Sequence, residues 1–320
     1  MPTCLVTGAA GFIGSHLVES LLGDGFRVIG LDNLDPYYDP SLKRTNLAGA
    51  LHSAGFEFHE GDIRDGTLVA ALFEQYKPDC VVHLAAKAGV RPSVQAPAEY
   101  MDVNARGTAV VLEAARLHGV RRLVFASSSS VYGGGNTLPF QENQAVATPL
   151  SPYAASKIAG EAMCHAHHHL YGMPIACLRF FTVYGPRQRP DLAINKFLRL
   201  LLADKPITVY GDGTASRDYT FVGDIVAGVR AALDCSLPYG VINLGGSSPI
   251  TVRDLVAQME RVTGKTARLE QVAAQPGDMP HTFACIDKAR DLLDWQPQTG
   301  LEEGLRKFVE WCGRAGATSS

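Results

Sequence analysis

From Pro2 to Phe180, short runs of β-branched and apolar residues alternate with longer stretches whose apolar positions recur every three or four residues. The short runs read as strands buried on both faces, and the longer stretches read as helices with one buried stripe. Strands are expected near residues 2–7, 26–31, 56–60, 79–84, 121–127 and 174–180, with helices between them, as at 12–23, 97–118 and 152–171. This alternation predicts an α/β fold, a doubly wound parallel sheet of the Rossmann kind. Beyond Phe181 the rhythm loosens, and prolines at 186, 190, 206, 238, 249, 276, 280 and 297 punctuate shorter elements. A first domain over 1–180 and a smaller substrate-binding lobe over 181–320 are expected. The pattern leaves open whether part of 215–245, such as "FVGDIVAGVRAAL", returns to the first domain. No repeat or linker separates the two, so they should pack as one unit around a cleft.

Composition narrows the function. The chain has 320 residues, 46% of them hydrophobic, and a formal charge of −3 with a pI near 6.4. It carries no basic field for nucleic acid or an anionic membrane, so any anion must be bound locally. Seven scattered cysteines without a C-x-x-C pair point to reduced thiols in a cytoplasmic protein. No apolar run approaches the roughly 18 residues of a membrane span, and no basic leader precedes the first strand, so neither export nor membrane insertion is expected.

Several segments carry chemistry. "TCLVTGAAGFIGSHLVESLL" sets Gly8, Gly11 and Gly14 between a strand and a helix, where glycine permits a tight turn and a close backbone approach to a pyrophosphate. The helix start, with Phe12 and Ile13, offers unpaired N–H groups to the phosphates. Asp32 ends the second strand in "RVIGLDN"; a carboxylate there accepts from ribose hydroxyls and repels a 2′-phosphate, which favours NAD over NADP. Asn33, Asp62, Ile63, Leu84, Ala85 and Ala86, after the second, third and fourth strands, are further positions able to line that cofactor.

Later, "LVFASSSSVYG" ends the fifth strand in four serines, and "SPYAASKIAGEA" opens a helix on Ser151 as N-cap and Pro152 as first residue. Tyr153 and Lys157 then share one helix face. A tyrosine with a pKa of about 10 becomes a base near neutrality if nearby cations supply about 3 to 4 kcal/mol. An ammonium and a positively charged nicotinamide ring are candidates. Tyr153 is therefore the expected general base.

At this point the chain resembles the extended short-chain dehydrogenase/reductase family, the NAD-dependent nucleotide-sugar epimerases and dehydratases. The likeness runs through "TGAAGFIG", "GLDN", "GDIRD", "HLAA", "NARGT", "SSSSVYG", "YAASK", "LRFFTVYGP", "YGDGTASRDYTFVGDI" and "QPGDMP". It implies a catalytic triad of Ser128, Tyr153 and Lys157, with Asn104 and Lys157 on the cofactor side. It also implies that Arg217 and Asp278 hold the diphosphate and ribose of a UDP-sugar, with Arg91, Ser129, Ser130, Thr182, Arg189 and Lys196 as further substrate contacts. Homodimerisation through the helices at 97–118 and 152–171 is a further implication of the family.

Dehydratases and uronate decarboxylases of the family carry a carboxyl group just after the triad hydroxyl, where this chain has Ser129 and Ser130. Without that acid, the resemblance implies a hydride-out, hydride-back 4-epimerisation. "DNLDPYYDPSLKRTNL", "AKAGVRPSVQAP" and "LRFFTVYGPRQRPD" are similar to the UDP-glucuronate 4-epimerases, with Lys87 as a departure where many relatives have glutamine. Conversion of UDP-glucuronate to UDP-galacturonate is expected, with Arg189, or its rival Arg187, reading the sugar carboxylate. The alternatives are a UDP-glucose or UDP-N-acetylhexosamine 4-epimerase, and a non-catalytic NAD-binding sensor. "HAHHHLYG" has no ligand spacing that suggests a metal site.

Overall fold

The structure is a computed structural model that describes residues 1–273 and 279–317. Seven parallel strands carry the fold: β1 (Thr3–Thr7), β2 (Arg27–Asp32), β3 (Phe56–Glu60), β4 (Cys80–His83), β5 (Arg122–Ser128), β6 (Ile175–Phe180) and, much later, β10 (Tyr239–Leu244). Their order across the sheet is β10-β6-β5-β4-β1-β2-β3. The chain runs outward from β1 to β3 and then, from β4, in the opposite direction. The reversal between β1 and β4 opens a crevice beyond the strand ends, the place where doubly wound sheets bind ligands. Central strands such as β6 are buried along their whole length, which is why they read as unbroken apolar runs.

All six strands expected from the sequence form, as do the helices Phe12–Gly23 and Pro152–Tyr171. The third expected helix differs. Residues 97–118 divide into the helix Pro97–Met101, a π-helical turn over Asp102–Arg106, and the helix Gly107–Leu117. Such a turn inserts an extra residue, and here it carries Asn104. The Asn104 Oδ1 accepts the Lys87 N–H at 2.7 Å, while its Nδ2 donates to the Lys87 carbonyl at 2.9 Å and to Ser156 Oγ at 2.8 Å. At Gly107, which follows, a Cβ would lie 2.5 Å from Ile63 Cδ1.

After β6 the chain builds a second layer from β7 (Thr182–Tyr184), β8 (Ile207–Tyr210), β9 (Ser216–Phe221), β11 (Pro249–Thr251) and β12 (Leu269–Val272). They form a three-stranded sheet β11-β9-β7 and the pair β12-β8. Phe197, Leu198, Leu255, Met259, Leu305 and Phe308 are buried together behind them. Between these pieces the chain goes back. The helix Val222–Asp234 packs on the helix Phe12–Gly23, and β10 pairs with β6. Residues 222–244 thus belong to the main sheet. No helix among the described residues is long and apolar enough to cross a membrane.

Candidate active site

A cavity of about 490 Å³ lies over the crevice, walled by the ends of the central strands on one side and by Thr182, Arg189, Leu192 and Arg217 on the other. Its floor is the glycine turn. Gly8 has φ +73°, and a Cβ on it would stand 2.8 Å from the Ala85 nitrogen; a Cβ on Gly14 would stand 2.0 Å from the Gly8 oxygen. The helix starting at Phe12 has Gly11 as N-cap with no side-chain cap and no acid in its first turn, so its leading N–H groups are left for an anion. This is a cradle that only glycine permits, and it suits a dinucleotide pyrophosphate.

Asp32 lies buried at the end of β2. Its carboxylate accepts the Ala10 N–H at 3.1 Å and the Leu34 N–H at 2.8 Å, and Lys43 Nζ stands 3.8 Å away. Burial raises its pKa, and the Lys43 ammonium opposes that rise. Asn33 Nδ2 donates to Asp62 Oδ2 at 2.9 Å, and hydrogen bonds from Arg64 hold Asp62 well below the usual carboxylate range. Phe12, Ile13, Ile63, Leu84, Ala85 and Ala86 also line the cavity.

On the facing side, Ser151 Oγ accepts the Ala154 N–H at 3.1 Å and starts the helix whose first turns carry Tyr153 and Lys157. Both line the cavity with Ser128, Ser129 and Ser130. Burial raises the Tyr153 pKa, while a hydrogen bond with the Ser128 hydroxyl and the charge of Arg189 pull it down. Ser128 Oγ is itself held by Ser130 through its N–H at 3.2 Å and its hydroxyl at 3.0 Å. Lys157 Nζ donates to the Ala126 carbonyl at 2.7 Å, and burial lowers its pKa to about 8. Arg189 is thus a cation acting on Tyr153 that spacing along the helix could not reveal.

The three arginines of "RFFTVYGPRQRPD" go three ways. Arg179 turns beneath the helix, donating through Nε and Nη2 to Glu161 at 2.9 and 2.7 Å, over the Tyr132 ring. Arg187, at φ +65°, pairs with Glu19 at 2.6 Å and does not line the cavity. Arg189 faces the cavity. Its loop is fastened from below by His16 Nε2, 2.9 Å from the Pro186 carbonyl oxygen, and by Gln188, whose Nε2 donates to the Val183 carbonyl at 2.8 Å.

Other expected contacts lie elsewhere. Asn104 stands one layer behind the cavity, bracing the backbone of Lys87 as described. Arg91 stacks on Tyr210, 4.8 Å from the ring centre, and Lys196 is exposed on the helix Ala193–Leu202; neither lines the cavity. Asp278 lies outside the described residues. Conversely, Tyr37, Tyr38, Lys43 and Tyr100 line the cavity without having been singled out. The signal for three of them was present in "DPYYDPSLK", a pair of aromatics and a lysine directly after the cofactor-reading Asp32. His165 and His168 pack on Tyr239 at 5.2 and 5.3 Å between ring centres.

Residues 4–245 match the NAD dependent epimerase/dehydratase family. The chain is 44% identical over 308 residues to a protein named UDP-glucuronate 4-epimerase from Thermodesulfobacterium geofontis, covering 96% of this chain and 95% of that one. Its fold is similar to the crystal structure of UDP-glucuronic acid 4-epimerase from Bacillus cereus in complex with UDP-glucuronic acid and NAD, with a TM-score of 0.92, 37% identity and coverage of 98% and 99%. It is also similar to a UDP-glucose 4-epimerase from Thermotoga maritima with UDP-glucose, with a TM-score of 0.91, 32% identity and the same coverage. The glycine turn, the serine cluster and the Tyr153–Lys157 helix meet around one cavity, and the chain belongs to the NAD dependent epimerase/dehydratase family.

Proposed function

We propose that this protein interconverts UDP-glucuronate and UDP-galacturonate by 4-epimerisation. Gly8, Gly11 and Gly14 would hold the pyrophosphate of NAD, which when bound would supply the hydride acceptor and donor for C4. Tyr153 takes the O4 proton and gives it back. Ser128 shares a hydrogen bond with that phenol, and Arg189 favours its ionised form. The oxidised sugar must turn over between the two hydride steps, for which Thr182, Ser129 and Ser130 offer hydroxyl partners. Arg217, whose Nη1 donates to the Ser216 carbonyl at 2.9 Å, presents a guanidinium to the diphosphate.

The observation that carries the reading is Arg189, a cation on the cavity wall in a site where Ser129 and Ser130 stand in place of an acid catalyst. The two relatives named as UDP-glucuronate 4-epimerases support the same substrate. The test is incubation of the purified protein with UDP-glucuronate, UDP-glucose and UDP-N-acetylglucosamine separately, with products resolved by NMR. UDP-galacturonate from the first alone is expected; conversion of a neutral sugar with UDP-glucuronate untouched would overturn the proposal. The UDP-glucose 4-epimerase of similar fold makes neutral sugars the second reading. Homodimerisation through the helices Gly107–Leu117 and Pro152–Tyr171 fits their exposed Leu117, Leu170 and Tyr171; sedimentation velocity tests it.

A further inference from the structure

The guanidinium that would read the uronate is held by two residues outside the catalytic set. Arg189 donates through Nε to Asp191 Oδ1 at 2.9 Å and through Nη2 to Asp191 Oδ2 at 2.7 Å. One side of its planar fork is therefore occupied by its neighbour two residues on. A guanidinium has five N–H donors, so the Nη1–Nη2 end is left for a ligand. The Tyr37 ring covers the face of the same guanidinium, 5.1 Å from ring centre to Cζ, and the Tyr37 hydroxyl donates to Asp191 Oδ2 at 3.2 Å. Tyr37 belongs to the other wall: it sits in the loop that follows Asp32. The base of that loop is tied to the first lobe by Asp35, 3.5 Å from Lys87 Nζ, and Lys87 also pairs with Glu99.

Tyr37 is 39% exposed, and an exposed ring contributes little to a core. Its ring and its hydroxyl converge on Arg189 and Asp191. Arginine's long stem is rotamer-rich, and a free guanidinium in a cavity this size could turn between the sugar, Tyr153 and solvent. Asp191 fixes the in-plane direction of the fork, and Tyr37 fixes the tilt of its plane.

We propose that Tyr37 and Asp191 are positioning residues that clasp Arg189 so that one end of its guanidinium meets the sugar carboxylate, which makes the loop after Asp32 part of the acidic-sugar specificity. This rests on the reading of UDP-glucuronate as substrate given above. It accounts for two features that the catalytic set leaves unused: an exposed tyrosine on the cavity wall, and an aspartate placed beside the one cation that an acidic substrate needs.

The test uses the NAD-loaded enzyme in a Tyr153→Phe background, so that ligands bind without turning over. Calorimetric dissociation constants are measured for UDP-glucuronate and UDP-glucose. Arg189→Ala is expected to weaken UDP-glucuronate at least about thirty-fold and UDP-glucose by about two-fold or less. Tyr37→Ala and Asp191→Asn are each expected to weaken UDP-glucuronate about ten-fold and to leave UDP-glucose within about two-fold, with Tyr37→Phe recovering most of the loss because it keeps the ring. If Arg189→Ala discriminates between the ligands while Tyr37→Ala and Asp191→Asn do not, the clasp is wrong and the substrate reading stands. If Arg189→Ala does not discriminate, both fall. Equal weakening of both ligands by Tyr37→Ala, or loss of bound NAD, would mean a merely structural role and overturn the proposal.

Discussion

Tyr153 draws its electrostatic helpers from opposite ends of the site: Ser128 closes β5, and Arg189 arrives on the loop beyond β7. Burial works against its ionisation, and those two partners work for it. Tyr153→Phe keeps the ring and removes the proton acceptor, so kcat is expected to fall about 10²- to 10⁴-fold with the fold and NAD binding intact. Steady-state kinetics checks this, and survival within about three-fold would remove Tyr153 as base. Arg189→Ala is expected to weaken UDP-glucuronate catalysis by about 2 to 4 kcal/mol, because a substrate carboxylate is left unpaired in a cavity. It also releases a hazard of the substrate. Oxidation at C4 makes a β-keto acid; if the C5–C6 bond aligns with the ketone, it breaks, CO₂ leaves, the bonding pair forms a C4–C5 enolate, and C5 takes a proton from water. UDP-4-ketopentose, or UDP-pentose once the hydride taken from C4 is returned to the ketone, should therefore appear in Arg189→Ala and stay undetectable in the wild type, as read by mass spectrometry.

At the scale of elements, the helix Pro152–Tyr171 must present Tyr153 and Lys157 rigidly, and a buried ion pair beneath it does this. Glu161, one turn beyond Lys157, accepts from Arg179 on β6 and from Ser127 on β5. The pair is almost fully buried, with side-chain exposures of 3% and 8%. Removing one charge from such a pair strands the other, so Glu161→Gln should destabilise the protein by about 3 to 5 kcal/mol in urea unfolding. A second readout separates stability from chemistry. The Glu161 charge raises the Lys157 pKa against the burial that lowers it to about 8. Without that charge Lys157 loses its proton at lower pH, and the alkaline limb of the kcat profile should move down. An unmoved limb would show that Lys157 does not titrate in that range.

For the whole molecule, hydride leaves and returns within one cycle, so turnover should proceed without accumulating NADH; growth of absorbance at 340 nm in step with product would contradict this. The second layer is expected to depend on pH through Asp218. It is fully buried, accepts the Ala284 N–H at 2.8 Å and the Ser247 N–H at 3.1 Å, and burial raises its pKa to about 6. A raised carboxyl pKa means the folded state holds the proton more tightly than the unfolded chain. That contribution is full below about pH 4 and disappears as pH rises through about 6. The wild type should therefore gain thermal stability relative to Asp218→Asn as pH is lowered from 7 to 4.5. A difference flat across that range would show that the backbone N–H groups keep Asp218 ionised.

What the sequence determined by itself was what one element decides alone. Strands buried on both faces show as apolar runs. A turn that excludes Cβ atoms shows as spaced glycines, and helix geometry puts Tyr153 beside Lys157 wherever the helix goes. The residues of the cofactor cradle and of the serine cluster were legible for that reason. Tertiary structure decided the rest, because the deciding partners are far away in the chain. Residues 222–244 rejoin the main sheet through the pairing of β10 with β6 and the packing of the helix Val222–Asp234 on the helix Phe12–Gly23. The π-helical turn at Asp102–Arg106 exists where Asn104 meets the backbone of Lys87 and the hydroxyl of Ser156, three segments that no spacing relates. The three arginines of "RFFTVYGPRQRPD" look alike in sequence and part company because Glu161, Glu19 and the Tyr37–Asp191 pair wait for them in different places. Spacing constrains a side chain's direction within its own helix or strand; its charge partner is set by how the layers pack, and that is where Arg189 acquired its place in the cavity.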